Sequence, residues 1–343
     1  MIFGLIVLQV FQPMLLSISI IIVNRNSEAF AGRLMESLID SCKNCEEAGR
    51  CKCREIIIVD NASTDNSLKV FEEYSKEITE PSIKIVRLYR NAGFCYAVNI
   101  GITLASAELV AILNPDLYVD KDWLIPIIED FVRMPRLGVV QPSIYWYQDP
   151  KRIQSTGLYA DFVGNYKGNV FNSKTLLASF GAAYVVRRRA FVEIGGLDPL
   201  YFMYGDELDL GLRMWLAGWI VMLEPRSKVY HYMGGVTPSS AYLRFLKYML
   251  MRRNQVITLM KSLSLKSLSI AMPLLTFVNM FRGLKSKEAL RAILVAYHGV
   301  LRNMRYIIMQ RRWYSKRKIL REGRLYHWGL IRPIIETKKV ERY

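Results

Sequence analysis

Four runs of apolar, largely β-branched residues set the pattern of the first 120 positions: Ser17–Val23 (SISIIIV), Glu55–Val59 (EIIIV), Ile83–Leu88 and Val110–Leu113. Short apolar runs without polar alternation predict strands buried on both faces. Between them lie segments with helical spacing: Glu28 to about Asp40 with Leu34, Leu38 and Ile39 apolar, then Ser67 to about Glu77, then Tyr96–Ser106. Trp123–Val132 follows the fourth strand as another helix. Strand and helix thus alternate with short joints, which predicts an α/β fold with a mostly parallel sheet covered on both sides. Each strand ends in polar residues, at Asn24, Asp60, Asn91 and Asn114-Pro115-Asp116. In such a sheet these turns share the carboxyl edge, where ligands sit in open α/β folds. Pro115 cannot donate to a ladder and stops its strand, so Asp116 projects from that edge. A carboxylate there can hold a hard divalent cation, and the cation can hold phosphate. The plainer role for an Asp in that position is to cap a turn.

After Pro142 the regular alternation stops. Gln154–Gly164 and Asn169–Leu177 are mixed and loop-like, and the small residues of Ala178–Val186 lead into a strand. Small side chains allow close approach to the backbone. Arg187-Arg188-Arg189 starts a helix that ends at Gly195-Gly196. Next, Asp206, Glu207 and Asp209 open a helix directly after Tyr201, Phe202 and Tyr204. Acids in a first turn are stabilised by the helix dipole. Acids crowded by aromatic rings also acquire raised pKa values suited to a general base. Lys228–His231 reads as a last strand with a histidine at its end; a lone histidine is more often structural than a ligand.

Charge divides the chain. Of 47 Lys+Arg and 30 Asp+Glu, 23 and 4 lie from Gly235 to Tyr343, a net of +19 there and of 24 − 26 = −2 before it. The expected organisation is therefore an apolar N-terminal segment (1–16), an enzyme-like domain (17–235) and a basic helical region (236–343). Met1–Asn24 carries no charged side chain. With 18–23 used as a strand, the remainder, broken by Pro13, is at the lower edge of a bilayer span, so a short interfacial helix or a start codon assigned too far upstream is the expectation. Four of the five cysteines, Cys42, Cys45, Cys51 and Cys53, fall within twelve residues. Structural zinc, two local disulfides and unrelated thiols are all open readings of that cluster. Cys95 stands apart as a small buried residue. No GxGxxG or GxxxxGK[ST] run occurs, which excludes a dinucleotide fingerprint and a P-loop.

The ordered segments 19–27 (SIIIVNRNS), 55–67 (EIIIVDNASTDNS), 91–102 (NAGFCYAVNIGI), 110–120 (VAILNPDLYVD), 180–188 (FGAAYVVRR), 197–213 (LDPLYFMYGDELDLGLR) and the VYH ending at His231 together resemble the family 2 glycosyltransferases. Within that family the non-processive, rhamnosyltransferase-like branch is the most similar. The resemblance implies the GT-A nucleotide-sugar-binding fold over roughly residues 17–235. It implies that Asp60 binds the nucleobase, with Asn24 and Asn26 lining the pocket, and that Asn91, Asn99 and Asn114 belong to the nucleotide-sugar site. Asn114-Pro115-Asp116 stands where the family has its Asp-x-Asp metal motif, so Asp116 and His231 would hold Mn²⁺ or Mg²⁺ against the donor diphosphate. The general base would lie within Asp206-Glu207, Glu207 position for position, with Asp206 close enough to replace it. Two departures are visible: Asn114 where many members have Asp, and Asp-Glu where the family writes Glu-Asp. The Gln/Arg-rich motif of processive synthases is not visible, which favours transfer of one sugar to a glycan or polyprenyl-linked acceptor.

The alternatives are a catalytically inactive nucleotide-sugar-binding or membrane scaffold protein, and a nucleotidyltransferase on a similar fold, although no glycine-rich activating loop is present. The basic region is helical in pattern over Tyr242–Leu263 and Glu288–Gln310, with Lys316, Arg317, Lys318 and Arg321 extending the charge. Its longest uncharged run, Ser267–Phe281, is 15 residues with Pro273 inside, too short to span comfortably. Basic helices with Trp313, Tyr314 and Trp328 suit an anionic membrane surface, at the cytoplasmic face of the cell membrane; nucleic acid is the less favoured partner.

Overall fold

The computed structural model describes residues 15–168, 174–232, 234, 240–320 and 331–332. In chain order the elements are β1 (Leu16–Asn24), α1 (Glu28–Glu47), β2 (Cys51–Asp60), α2 (Ser67–Glu77), β3 (Ser82–Arg87), α3 (Phe94–Leu104), β4 (Leu109–Leu113), β5 (Leu117–Val119) and α4 (Leu124–Arg133). Then come β6 (Leu137–Trp146), β7 (Ile153–Ser155), β8 (Leu158–Asp161), β9 (Tyr166–Gly168), β10 (Ala183–Arg187), α5 (Arg188–Glu193), α6 (Asp206–Leu216) and β11 (Ile220–His231). Four helices follow, α7 (Ala241–Ser262), α8 (Leu265–Gly283), α9 (Lys287–Arg302) and α10 (Met304–Ser315), with β12 (Ile331–Arg332) beyond them.

The main sheet runs β3-β2-β1-β4-β10-β6-β11-β5. β1 to β4 pair in parallel and β6 pairs with β11 in parallel, while β10 runs antiparallel to both β4 and β6. This is the α/β, mostly parallel sheet that the alternation predicts, in the GT-A-like arrangement that the resemblance implies. Ile18, Ile20, Ile21 and Ile22 of β1 are fully buried. Each such side chain contributes about 1.5–3 kcal/mol on leaving water, which makes β1 an interior strand.

The sequence pattern misses β6, although it is ten residues long and central. Pro142 hides it, because a proline argues against a central strand. The structure accommodates Pro142 opposite Glu224, where the β11 register breaks before resuming at Lys228. The missing N–H falls where the partner strand bulges away. β7, β8 and β9 are likewise short strands in a stretch that reads as loop.

The basic region is not an appendage. Val256, Ile257, Leu259, Leu263, Ala271, Leu275, Val300 and Ile307 share one core cluster with Ile21, Tyr184 and Leu208 of the sheet and α6. Ser240, Ser264 and Ser286 cap α7, α8 and α9, each hydroxyl accepting from the backbone N–H three residues on. Trp313 packs on Gly195, and Tyr314 is buried. Tyr314 therefore serves the interior, Trp313 is partly buried, and Trp328 lies outside the described residues. No helix among the described residues is long and apolar enough to cross a membrane, and most of the segment 1–16 lies outside them.

The cysteine cluster sits at the amino edge of the sheet, where Cys51 pairs with Leu16. Cys45 and Cys51 form a disulfide with Cα atoms 5.7 Å apart, within the usual span for that bond. Cys42 and Cys53 are buried free thiols, and the Cys53 sulfur lies 4.0 Å from that of Cys51. The hydrogen bond to Cys53 and burial push the Cys42 thiol well up. Structural zinc finds no support here, because two of its four expected ligands are bonded to each other.

Candidate active site

The carboxyl edge of the sheet gathers the polar turns. After β1 and β2 the residues hold one another. Asn24 donates to Asp60 Oδ1 (2.8 Å) and to the hydroxyls of Ser67 (2.9 Å) and Ser63 (3.1 Å). Asp60 also accepts from the Ser63 N–H at 3.2 Å. Asn26, with φ 53°, accepts from the Thr64 N–H at 2.7 Å. Asn24 and Asn26 thus brace the 60–66 loop, leaving Asp60, buried beneath it, as the acid of this pocket.

Asn91 accepts from the Gly93 N–H at 3.0 Å. Gly93 has φ +88°, and a Cβ there would lie 2.6 Å from the Phe202 carbonyl oxygen, so only glycine fits. The Asn99 amide donates to the Leu197 carbonyl (2.6 Å) and accepts from the Leu197 N–H (3.0 Å). Both ends are taken up, so Asn99 ties α3 to the approach of α6.

Asp116 and His231 are brought together by the antiparallel pairing of β5 with β11, in which His231 faces Leu117. His231 Nε2 lies 3.3 Å from Asp116 Oδ1, and both side chains are buried. His231 Nδ1 lies 2.7 Å from Gln154 Oε1. The Gln154 contact fixes the orientation of the ring. A neutral imidazole nitrogen beside a carboxylate is a pair of groups that could hold a cation. No group of three or more His, Cys, Asp or Glu side chains that could hold a metal occurs among the described residues. Gln154, on the short strand β7, is the orienting residue that sequence reasoning missed; its flanks read as loop.

The acid pair opens α6. Gly205, in the left-handed conformation at φ +79°, is its N-cap residue, and its N–H donates to Glu207 Oε2 at 3.0 Å. Asp206 is 3% exposed and Glu207 is partly open. Burial and the neighbouring Glu207 push the Asp206 carboxyl well up, and burial raises Glu207. Phe202 and Tyr204 also have positive φ, 63° and 67°. Asn254 of α7, fully buried, holds this strained loop by donating to the carbonyls of Tyr201 (3.0 Å), Met203 (3.0 Å) and Tyr204 (2.6 Å). Arg253 adds a bond to the Leu200 carbonyl at 2.6 Å. Both lie in the basic region, whose sequence pattern gives no hint of such a role.

One short segment joins the two halves. The Phe180 ring meets His231 edge-on at 6.3 Å. At Gly181 an added Cβ would lie 2.6 Å from Glu207 Oε1. The Ala182 carbonyl accepts from the Asn114 N–H at 2.8 Å. The small residues here do permit close approach, and what approaches is the Glu207 carboxylate.

Comparison with known proteins agrees with this geometry. A rhamnosyltransferase of Mycobacterium tuberculosis acting on N-acetylglucosaminyl-diphospho-decaprenol is 27% identical over 209 residues, 52% of this chain and 66% of that protein. An inactive polypeptide N-acetylgalactosaminyltransferase-like protein 5 of Macaca fascicularis is 31% identical over 52% of this chain and 44% of its own length. The chain thus spans less than two thirds of the length of these relatives. A mannosyltransferase from Pyrobaculum calidifontis, solved with GDP-mannose and Mn²⁺, superimposes with TM-score 0.54 at 12% identity, covering 89% of this chain and 85% of that one. The profile of glycosyl transferase family group 2 matches residues 109–310 and that of glycosyl transferase family 2 matches residues 19–195. The chain belongs to glycosyl transferase family 2.

Proposed function

We propose that the chain is an inverting, metal-dependent glycosyltransferase that moves one sugar from a nucleotide-diphosphate sugar to a hydroxyl of a glycan or lipid-linked acceptor. The carrying observation is the segment Phe180-Gly181-Ala182, which touches His231, Glu207 and the main chain of Asn114 in turn. It sets a cation-suited pair beside a base-suited pair on one sheet edge. Asp116 and His231 would hold Mn²⁺ or Mg²⁺, and such a cation, when bound, offsets the charge that develops on a leaving diphosphate. Glu207 takes the proton of the acceptor hydroxyl as that oxygen attacks the anomeric carbon on the face opposite the diphosphate. Asp60 and the braced 60–66 loop receive the nucleobase. Most of the rate comes from holding hydroxyl and anomeric carbon in line. In a panel of nucleoside diphosphates, at least one raises the melting temperature by a few degrees at saturating concentration, and more so with Mn²⁺. No shift with any of them would remove the transferase reading.

The supporting relative from Mycobacterium tuberculosis carries a diphospho-decaprenol acceptor in its name, and α8 suits a peripheral site on an anionic membrane surface, at the cytoplasmic face. One side of α8 packs inward through Ala271, Leu275, Asn279 and Gly283. Its other side is also apolar, with Ile270, Phe277 (70% exposed), Phe281 (64%) and, just beyond the helix, Leu284. A helix apolar on both sides belongs in an apolar medium on both. Lys266, Arg282, Lys285 and Lys287 flank the stripe, and α8 itself has no acid. Because α7 to α10 complete the core, surface variants test this better than deletion. Phe277→Ser with Phe281→Ser lowers cosedimentation with phosphatidylcholine–phosphatidylglycerol vesicles about tenfold or more, since one Phe side chain leaving water is worth about that factor. Unchanged cosedimentation would rule out α8 as the contact.

A further inference from the structure

Outside the acid pair lies a second charged constellation that the reaction described above does not use. Arg252 of α7 donates through Nη1 to Gln255 Oε1 at 2.8 Å. Gln255 donates to Asn165 Oδ1 at 3.2 Å, and Arg282 of α8 donates to the same oxygen at 2.9 Å. Two guanidinium groups therefore hang from one pair of neutral amides. The nearest carboxylate in this chain of bonds, Asp161, is occupied by Asn165: its Oδ2 accepts from the Asn165 side chain and its Oδ1 from the Asn165 main chain, both at 2.8 Å. Among the described residues neither arginine has a carboxylate within ion-pair distance, and Arg252 Nε is buried without a hydrogen-bond partner. Burial and the charge of Arg282 lower the Arg252 guanidinium from its usual value, opposed in part by the phenols of Tyr248, Tyr166 and Tyr297 and by no carboxylate.

The pair is next to the reaction centre. Tyr166 follows Asn165 in sequence. Burial, then the charges of Glu207 and Asp206, raise its hydroxyl, while Arg252 acts on it in the opposite sense. Its hydroxyl would lie 3.7 Å from a Cβ at Gly205. Tyr166 thus stands between the acids and the arginines. Arg282 is also bracketed by Phe281 and Leu284 of the exposed apolar stripe on α8. The apolar stripe of α8 thus leads through Arg282 to Arg252, and Tyr166 links that pair to the acids.

We propose that Arg252 and Arg282 form an anion subsite that takes the phosphate or diphosphate of the acceptor, between the acid pair and the α8 stripe. Forked guanidinium donors match phosphate oxygens in geometry as well as charge. A bound dianion would relieve two like charges held close together. The word acceptor rests on the transferase reading; the anion subsite does not.

The test is titration of the full chain with inorganic pyrophosphate in EDTA, so that no divalent cation draws the anion to Asp116 and His231. Arg252→Gln and Arg282→Gln should each weaken binding about tenfold, the usual order for one charged hydrogen-bonding partner. Binding of the preferred nucleoside diphosphate with Mn²⁺ should stay unchanged. Equal pyrophosphate binding by the unmodified chain and both variants would overturn the subsite. Arg282→Gln, on a partly exposed helix position, keeps the test decisive if Arg252→Gln does not fold. A second arm compares phosphatidylcholine vesicles doped with a prenyl phosphate against the same vesicles doped with phosphatidylglycerol. Arginine-dependent preference for the prenyl phosphate supports an acceptor site. Arginine-dependent binding to both alike would reduce the pair to a headgroup contact and overturn the acceptor assignment. Failure of every nucleoside diphosphate to bind would count against the transferase reading while leaving the pyrophosphate result intact.

Discussion

Glu207→Gln lowers sugar transfer by about 10²–10⁴-fold while donor binding changes little, the range typical for loss of a general base. The carboxylate is fixed from two sides, with Oε2 accepting from Gly205 N–H and Oε1 lying against Gly181. A glutamine keeps the shape and loses the proton acceptor. Asp206→Asn acts differently. Asp206 is turned into the interior, and its charge works on the buried thiol of Cys95 and the phenol of Tyr184. Both acids have carboxyls raised by burial. The transfer rate should therefore fall as pH drops through a value above the ordinary carboxylate range. The sign for stability is opposite. A carboxyl raised in the folded state binds more protons there than when unfolded, so stability declines as pH rises from the ordinary value through the raised one. Asp206→Asn is expected to melt at or above the parent temperature at neutral pH while losing activity. Full activity in both Glu207→Gln and Asp206→Asn would place the base elsewhere.

Lys261→Met destabilises the fold by about 3–5 kcal/mol, the cost of leaving a buried charge unpaired. Lys261 is 0% exposed, and its Nζ lies 2.7 Å from Asp198 Oδ2 and 3.0 Å from Asp209 Oδ1. Asp209 also meets Arg213 at 2.6 Å, and Asp198 accepts from the Tyr306 hydroxyl at 2.9 Å. Two acids and two bases cancel inside the protein, and their bonds join α7 and α10 to α6. Burial by itself would raise the Asp209 carboxyl, but Arg213 and Lys261 outweigh it and hold the group below its usual value. The stability it contributes is therefore complete above about pH 4, the ordinary carboxylate value, and is lost as pH falls below it. Urea titration at neutral pH and at pH 3 measures both effects. A Lys261→Met midpoint equal to the parent's would refute the role of the network.

The first half of the fold is legible because its signals are local. β-branched runs name β1 to β4, and the polar residues after them name the site edge. Asp116 and His231 are readable only because each ends a strand; that they meet depends on β5 pairing with β11 across 114 residues of chain. What the sequence hides is hidden for stated reasons. Pro142 conceals β6, whose missing donor is absorbed by a bulge in another strand. Gln154 lies on a three-residue strand with no pattern of its own. Asn254 and Lys261 read as polar positions on a solvated basic helix, because their partners, Tyr201 to Tyr204 and Asp198, lie 50 to 63 residues earlier. Asn24, Asn26 and Asn99 were legible as polar residues near the site. Their amides mainly hold backbone and loop, which spacing alone does not separate from ligand binding.

The reversed strand β10 also bears on how the chain can be cut. It lies between β4 and β6, so neither strand has its neighbour until residues 183–187 are in place. A polypeptide ending between β6 and β10 would carry two bare, apolar strand edges, and such edges recruit other chains. Residue 195, where the family 2 profile closes, lies just past β10 and α5. Fragments prepared for solution work, and nascent chains emerging during synthesis, share that hazard: β10 closes the gap between β4 and β6, and the far edge of β6 stays bare until β11 pairs with it.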